Sequence, residues 1–234
     1  RTLGDCFLHV TQMHRIVEAH TPVIELAPPK ISDVERAIGQ NVAKLVKDGD
    51  TLQLGIGAIP DAVLLFLKEK NDLGIHTEMF SDGVVELAEA GVITNQAKTL
   101  HKGKSVATFL MGTRRLYDYV DNSPAVAMYP VQYVNDPYVI AQNDNLVSIN
   151  SCVQIDIMGQ VVSTSAGLRQ ISGVGGQIDF VRGANMSKGG RAIMAMPSTT
   201  GKGKISKIVP FLDRGSAVTT TRNDVNYVIT EYGI

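Results

Sequence analysis

One carboxylate in this sequence stands at the end of an apolar strand. Glu78 is the last residue of the strand predicted at 74–78, and the apolar residues Met79 and Phe80 come directly after it. Open α/β sheets build their ligand sites at the carboxyl ends of their strands. A carboxylate in such a place can act as a nucleophile towards an activated carbonyl group. A helix cap or an ion-pair partner is the more common role of a strand-end glutamate, so the surrounding residues must decide.

A turn that contains two glycines precedes Glu78 in the chain. Residues 55–60 read Gly-Ile-Gly-Ala-Ile-Pro, between a predicted strand at 51–54 and a predicted helix at 61–70. Free N–H groups at a helix N-terminus favour a phosphate or a developing oxyanion. Glu78 lies roughly 20 residues further on, where a dinucleotide fold keeps its ribose-binding acid, although the sixth residue is Pro60 instead of glycine. A nicotinamide site and a turn that binds no ligand both stay open.

A second glycine-rich loop lies at residues 171–180, ahead of a predicted short helix. Such a loop lets the backbone approach a ligand closely and point several N–H groups at it. Simple chain reversal is the alternative interpretation. Lys188 and the cluster of Lys202, Lys204 and Lys207 could meet phosphate groups, but a solvated loop explains most of these lysines equally well.

The composition excludes several classes of function. The 234 residues carry 22 Lys and Arg against 23 Asp and Glu, a net charge of -1, which argues against a nucleic-acid or anionic-membrane partner. Cys6 and Cys152 are far apart, and the five histidines lack metal-site spacing, so we expect neither disulfides nor a metal. No apolar run reaches the roughly 20 residues of a membrane helix. No Gly-x-Ser-x-Gly elbow is present, so the sequence offers no site for serine-based acyl transfer. We expect a soluble cytoplasmic protein.

The periodicity predicts alternating strands and helices. A helix is expected over residues 34–46, capped by Ser32 or Asp33, and the strand at 51–54 opens a βαβ series. The further predictions are strands at 74–78, 105–111, 192–196, 205–210, 217–220 and 225–230, helices at 84–90 and 114–120, and hairpin strands at 146–150, 153–157 and 160–163. This order indicates an α/β fold: an open, mainly parallel sheet with helices on both faces and an attached antiparallel hairpin.

Four segments together resemble the acetyl-CoA hydrolase/transferase family: residues 55–63, 76–83, 172–180 and 230–233. The resemblance implies a class I CoA-transferase with an open α/β fold in two related domains. This chain, residues 1–234, would be the C-terminal domain. Since the sequence starts with Arg1 and ends within a predicted strand and turn, we expect a fragment that lacks the N-terminal domain and the last C-terminal segment.

The resemblance also implies roles for individual residues. Glu78 would be the nucleophile that becomes a glutamyl-CoA thioester, and Gly175 and Gly176 would supply N–H groups to the acyl oxygen and to CoA. The residues expected to bind CoA are Gly55, Ile56, Gly57, Ala58, Ile59, Gly176 and Lys202. Ile178 stands where related transferases often have a third glycine, which leaves the N–H donor open, and Lys204 could take the place of Lys202.

The implied function is transfer of CoA between acetyl-CoA and a small carboxylic acid such as 4-hydroxybutyrate or butyrate. Coenzyme A and acyl-CoA would be substrates, no cofactor would be bound permanently, and the enzyme would be a homodimer. The apolar Met79 and Phe80 are compatible with exclusion of water, which separates a transferase from a hydrolase. An acyl-CoA hydrolase on the same site and a non-catalytic nucleotide-binding module are the alternatives.

Overall fold

The computed structural model describes residues 1–55 and 57–234 and has short strands throughout. The strands are β1 (Thr51–Leu54), β2 (Gly74–Ile75), β3 (Met79–Phe80), β4 (Ser105–Ala107), β5 (Phe109–Leu110), β6 (Val126–Met128), β7 (Leu146–Ser151), β8 (Gln154–Asp156), β9 (Val161–Val162), β10 (Ser165–Ala166), β11 (Arg169–Gln170), β12 (Arg191–Ala195), β13 (Thr199–Thr200), β14 (Ile205–Ser206), β15 (Ile208–Val209) and β16 (Tyr227–Ile229). The helices are α1 (Asp33–Ala43), α2 (Ala58–Leu64), α3 (Asp82–Glu89), α4 (Arg114–Val120), α5 (Val131–Val134), α6 (Pro137–Ile140) and α7 (Gln177–Met186).

The central sheet is parallel, with the strand order β16-β12-β7-β1-β2. The chain passes from β1 to β2 at one edge and later returns through β7 on the other side of β1. The sheet therefore changes its direction of growth between β1 and β7. A crevice forms at such a switch point, at the carboxyl ends of the two strands, because the connections leave in opposite directions.

Helices cover both faces of this sheet. Side chains alternate along β7, so that Val147 and Ile149 pack into the core with Ile38 of α1, whereas Leu146 packs with Phe180 of α7 on the other face. Each such fully buried side chain contributes about 1.5–3 kcal/mol through the removal of apolar surface from water. The prediction of a mainly parallel α/β sheet with helices on both faces is confirmed.

Several local predictions hold. Ser32 caps α1: its Oγ accepts the N–H of Glu35, and the Glu35 carboxylate accepts the N–H of Ser32 at 2.7 Å. This reciprocal pair satisfies two backbone donors at the start of the helix. The strand at 51–54 and the helix at 114–120 have the expected bounds. The predicted antiparallel hairpin is β8–β9, with Gly159 at a positive φ of 86° in its turn.

Other local predictions are wrong. The hairpin joins β15 in a separate three-stranded sheet, since the residues expected as its first strand form β7 of the central sheet. The expected strand at 74–78 ends at Ile75, and that at 105–111 divides into β4 and β5. The helix expected at 61–70 is α2, which starts earlier and ends at Leu64. Residues 217–220 form only a bridge, from Thr220 to Val161. No described helix is long and apolar enough to cross a membrane.

Candidate active site at the switch point of the sheet

Glu78 lies where the backbone exchanges one strand partner for another. His76 forms a bridge with Val106, and β3 then pairs with β5 directly after Glu78. The carbonyl oxygen of Glu78 accepts the N–H groups of Thr108 and Phe109, both at 3.1 Å. The backbone of Glu78 is thus held by two donors while its half-buried side chain projects from the strand end. The break in the predicted strand is what presents this carboxylate.

The second glycine loop meets Glu78 through a backbone hydrogen bond. The N–H of Gly176 donates to Oε2 of Glu78 at 3.0 Å, although the two residues are far apart in sequence. Gly176 is the N-cap of α7, where the positive end of the helix dipole favours an anion. A Cβ at this position would overlap the Glu78 carboxylate and the Asn135 side-chain amide. The close approach therefore requires glycine.

Two cavities meet at Glu78. The first, of about 290 Å³, extends to Gly55 after β1 and to Asn150 near the end of β7. It therefore occupies the switch point of the sheet. The second, of about 450 Å³, lies on the α5 and α7 side, with Asn135 and Asp179 in its wall. Gly175 lines both cavities. A ligand bound in either cavity can reach the carboxylate.

A polar network forms the floor of the first cavity. Oε1 of Gln53 accepts the hydroxyl of Ser148 at 2.6 Å and the amide of Asn150 at 3.0 Å. The amide of Gln53 donates to Oδ1 of Asn150 at 3.2 Å. All three side chains are buried. These residues are not recognisable as site residues from their own motifs; polar residues at alternating positions of an apolar strand are the signal that the sequence offers.

The charge around Glu78 is negative. Burial raises the pKa of the Asp179 carboxyl, and repulsion from Glu78 raises it further. Oδ1 of Asn135 is buried beside this group without a hydrogen-bond partner in the described part of the chain. Among residues 1–55 and 57–234, no group of three or more His, Cys, Asp and Glu side chains could hold a metal ion. The site thus offers a carboxylate, backbone donors and an unpaired amide oxygen.

The predicted CoA-binding residues do not all lie together. Gly55 shares a cavity with Glu78, whereas Gly57 lines a separate apolar cavity of about 440 Å³ under residues 26–31. Ala58 and Ile59 form the first turn of α2, with Ile59 buried in the core. Ile56 lies outside the described residues. The ligand-binding roles of these residues stay predictions.

Lys202 lies apart from the carboxylate. It is exposed on the turn between β13 and β14, with a positive φ of 58°, and it lines none of the cavities described above. Lys204 is exposed on the same turn. Lys202 does not contact Glu78 in the described part of the chain. Only a long ligand can therefore reach from this turn to the carboxylate.

The chain is similar over its whole length to known CoA transferases and to a solved structure. The chain is 68% identical to the 4-hydroxybutyrate coenzyme A transferase of Clostridium kluyveri and 49% identical to the succinyl-CoA:cyclohexane-1-carboxylate CoA transferase of Geobacter metallireducens. Both alignments cover 100% of this chain and 54% of the relative, so the chain spans about half the length of the curated relatives it matches. The solved structure of RipA from Yersinia pestis superimposes with a TM-score of 0.93 at 48% identity, over 100% of this chain and 53% of RipA.

A family model gives the assignment directly. Residues 112–234, more than half of the chain, match the acetyl-CoA hydrolase/transferase C-terminal domain. The matched range contains the glycine loop and the TEYG segment, two of the four segments on which the resemblance was based. The chain therefore belongs to the acetyl-CoA hydrolase/transferase family.

Proposed function

We propose that this chain carries the nucleophile of a CoA-transferase that moves CoA between acetyl-CoA and a small carboxylic acid such as 4-hydroxybutyrate or butyrate. The observation that carries the proposal is the hydrogen bond from the Gly176 N–H to the Glu78 carboxylate, at the point where two cavities meet. A carboxylate held by a helix N-terminus is restrained in position and open to a ligand. The similarity to two enzymes named as CoA transferases supports the same conclusion.

The first half of the reaction converts Glu78 into a thioester. A carboxylate oxygen of Glu78 attacks the acyl-CoA carbonyl carbon, the C–S bond breaks, and CoA leaves as a thiolate from an acyl-glutamyl anhydride. The thiolate then attacks the glutamyl carbonyl carbon. The C–O bond of the anhydride breaks and the first carboxylic acid leaves as its carboxylate, so that CoA is now bound to Glu78 as a thioester.

The second half reverses these steps with another acid. The acceptor carboxylate attacks the glutamyl thioester and releases the thiolate, which then attacks the acyl carbonyl of the new anhydride. The products are a new acyl-CoA and the original Glu78 carboxylate. No net proton transfer is needed, so the mechanism gives no proton-transfer role to Asp179, the neighbouring carboxyl whose pKa is raised by burial and by Glu78.

Backbone donors stabilise the charge that each attack creates. In every step a carbonyl oxygen becomes an oxyanion, and one well-placed N–H contributes about 2.7–4 kcal/mol to such a step. The N–H of Gly176 already lies at the Glu78 carboxylate, within reach of the oxyanion formed on the glutamyl group. We assign Gly55 and Gly175 to the same cavity wall, where they would contact the acyl group and CoA.

The remaining parts of the proposal concern the whole enzyme. We propose that this chain is the C-terminal domain of a polypeptide about twice as long, as in its relatives, and that the enzyme is a cytoplasmic homodimer without a permanently bound cofactor. Lys202 would bind a phosphate of CoA from its exposed turn. In the full-length polypeptide, K202A should raise the KM for acetyl-CoA several-fold more than K102A, which removes an exposed lysine outside that turn.

Trapping the intermediate tests the function. The full-length polypeptide that carries this chain is incubated with acetyl-CoA, reduced with borohydride, and digested for mass spectrometry. We expect the glutamyl alcohol at Glu78 and loss of transfer in E78A, while E69Q, which removes an exposed carboxylate from the turn that follows α2, stays active. An unmodified Glu78 in an active preparation would refute the mechanism.

Hydrolysis on the same site is the second candidate, because Glu78 is only half-buried and one of its cavities is open to solvent. The test is release of free CoA in the absence of an acceptor acid. If release without acceptor is as fast as transfer with it, the enzyme is a hydrolase. Binding of NAD without any affinity for CoA would instead support the nucleotide-binding module.

A further inference from the structure

His76 is buried beneath the candidate active site, two residues before Glu78 on the same chain segment. Its side chain is fully inaccessible to solvent. Nε2 lies 2.9 Å from the carbonyl oxygen of Val134, the last residue of α5. Since a carbonyl oxygen can only accept, Nε2 carries the proton and donates. The opposite nitrogen, Nδ1, has no partner among the described residues.

The imidazole ring contacts both helices that form the walls around Glu78. It packs edge-on against the ring of Phe180 in α7, with ring centroids 6.2 Å apart. Its hydrogen bond holds α5, whose end is followed directly by Asn135 in the wall of the larger cavity. A single side chain thus fixes the strand of Glu78 to two separate elements.

These contacts link His76 to the carboxylate of Glu78 through α7 as well as along the chain. The backbone N–H of Phe180 donates to the carbonyl of Gly176 at 3.1 Å, and the N–H of Gly176 donates to Glu78 at 3.0 Å. His76 joins both ends of this series of contacts, because it lies two residues from Glu78 in the chain and packs against Phe180. A displacement of the ring would therefore move the carboxylate and its donor relative to each other.

We propose that His76 is a positioning residue for the nucleophile. Its hydrogen bond to Val134 and its contact with Phe180 fix the positions of Glu78, the Gly176 N–H and Asn135 relative to one another. The inference rests on the proposed function of Glu78 as nucleophile. We give His76 no role in proton exchange with substrate, because its one donor is committed to a carbonyl and its side chain is inaccessible to solvent. It acts as a neutral side chain that sets the spacing between these elements.

Three substitutions separate the hydrogen bond from the space that the ring fills. H76F keeps a flat ring against Phe180 but removes the donor to Val134. H76Q places an amide N–H close to the position of Nε2 and so restores the donor. H76N has a similar polarity but is too short to reach the carbonyl, and it replaces H76F if that variant does not fold.

The control is a substitution that lowers the stability of the fold but lies away from the site. Leu67 is fully buried in the core on the α2 side of the sheet and lines none of the cavities at Glu78. L67A should therefore lower the melting temperature while the kcat per folded molecule stays unchanged. All variants are made in the full-length polypeptide, and the folded fraction is measured by thermal unfolding.

The readouts are kcat, KM for acetyl-CoA, and the yield of borohydride-reduced Glu78. We expect H76F to lower kcat at least about tenfold with KM within threefold of the wild-type value, since ångström-scale misplacement of a reacting group costs up to 10²-fold. H76Q should recover to within threefold of wild type. A kcat for H76F within twofold of wild type, or a kcat for H76Q as low as that of H76F, would overturn the proposal.

The same data distinguish the two possible failures. If wild-type enzyme forms the reduced product at Glu78 and H76F forms it equally fast, the positioning role fails while the proposed function stands. If active wild-type enzyme forms no product at Glu78, the proposed function fails and the positioning role fails with it.

Discussion

The glycines of the loop before α7 allow the site geometry to be tested by one added methyl group. Gly176 has φ −90° and ψ 6°, a conformation open to alanine, so G176A introduces no backbone strain of its own. The new Cβ would, however, overlap Oε2 of Glu78 and the amide of Asn135. The carboxylate must move away, and its hydrogen bond to the Gly176 N–H is lost or lengthened.

The magnitude follows from what that hydrogen bond does. A hydrogen bond to a charged group contributes about 1.5–3 kcal/mol, and loss of one oxyanion donor costs about 10²–10³ in kcat. We therefore expect G176A to lower kcat for CoA transfer by roughly 10²-fold. Because the overlap is with the nucleophile and not with the core, the melting temperature should change little.

Two neighbouring glycines provide matched controls in the same loop. A Cβ at Gly173 would meet no atom within 4 Å, and its φ is not in the left-handed region, so G173A should be close to wild type. Gly175 also has open space, but its φ is 59°, where alanine costs about 1 kcal/mol of backbone strain. G175A should therefore fall between the two. Steady-state transfer assays on the full-length polypeptide decide the order, and a kcat for G176A within threefold of that for G173A would refute the geometry.

Further outcomes follow from buried and charged groups. Burial lowers the pKa of His76 from 6.5 to about 3, so the unfolded chain binds more protons than the folded chain between these pH values. The free energy of unfolding should therefore fall as the pH drops through this window, by roughly 5 kcal/mol at most. Urea unfolding of H76Q should show a shallower pH dependence than that of the wild type. R191M should cost about 3–5 kcal/mol in unfolding free energy because it leaves Asp50 buried without its cation, which bonds it at 2.6 Å; a loss below 1 kcal/mol would contradict this. D179N removes a negative charge beside the nucleophile and should lower KM for the acceptor carboxylate about two- to fivefold, a small change because the group is partly solvated.

The sequence could predict the layers of the fold because they depend on local periodicity. Residues 51–54 and 114–120 have the expected type and bounds because each segment carries the residue pattern and the flanking turn residues of its own element. The strand expected at 74–78 failed for a non-local reason. His76 pairs with Val106, and Met79 then pairs with Phe109, and neither partner is specified by the residues of the segment itself.

The candidate site was predicted only in part, for a similar reason. Glu78 and Gly176 could be identified from their motifs, but the hydrogen bond between them depends on how α7 packs against the sheet. The contributions of Asn135 and Asn150 were missed because each is an ordinary polar residue in its own segment. Their significance comes from burial against Gly176 and against Gln53, which only the assembled fold shows.

The change of direction in the sheet explains why these scattered residues meet. Since β2 lies on one side of β1 and β7 on the other, the loop after β1 and the end of β7 turn away from each other and leave a crevice between them. Gly55 and Asn150 lie at that crevice, and the break after β2 brings Glu78 to it from the edge of the sheet. The helix α7 then crosses one face so that its N-terminus, and with it Gly176, points at the carboxylate. Among residues 1–55 and 57–234 no salt bridge involves Glu78, so an anion at this place is stabilised by the helix dipole while its charge stays available for attack on a carbonyl carbon.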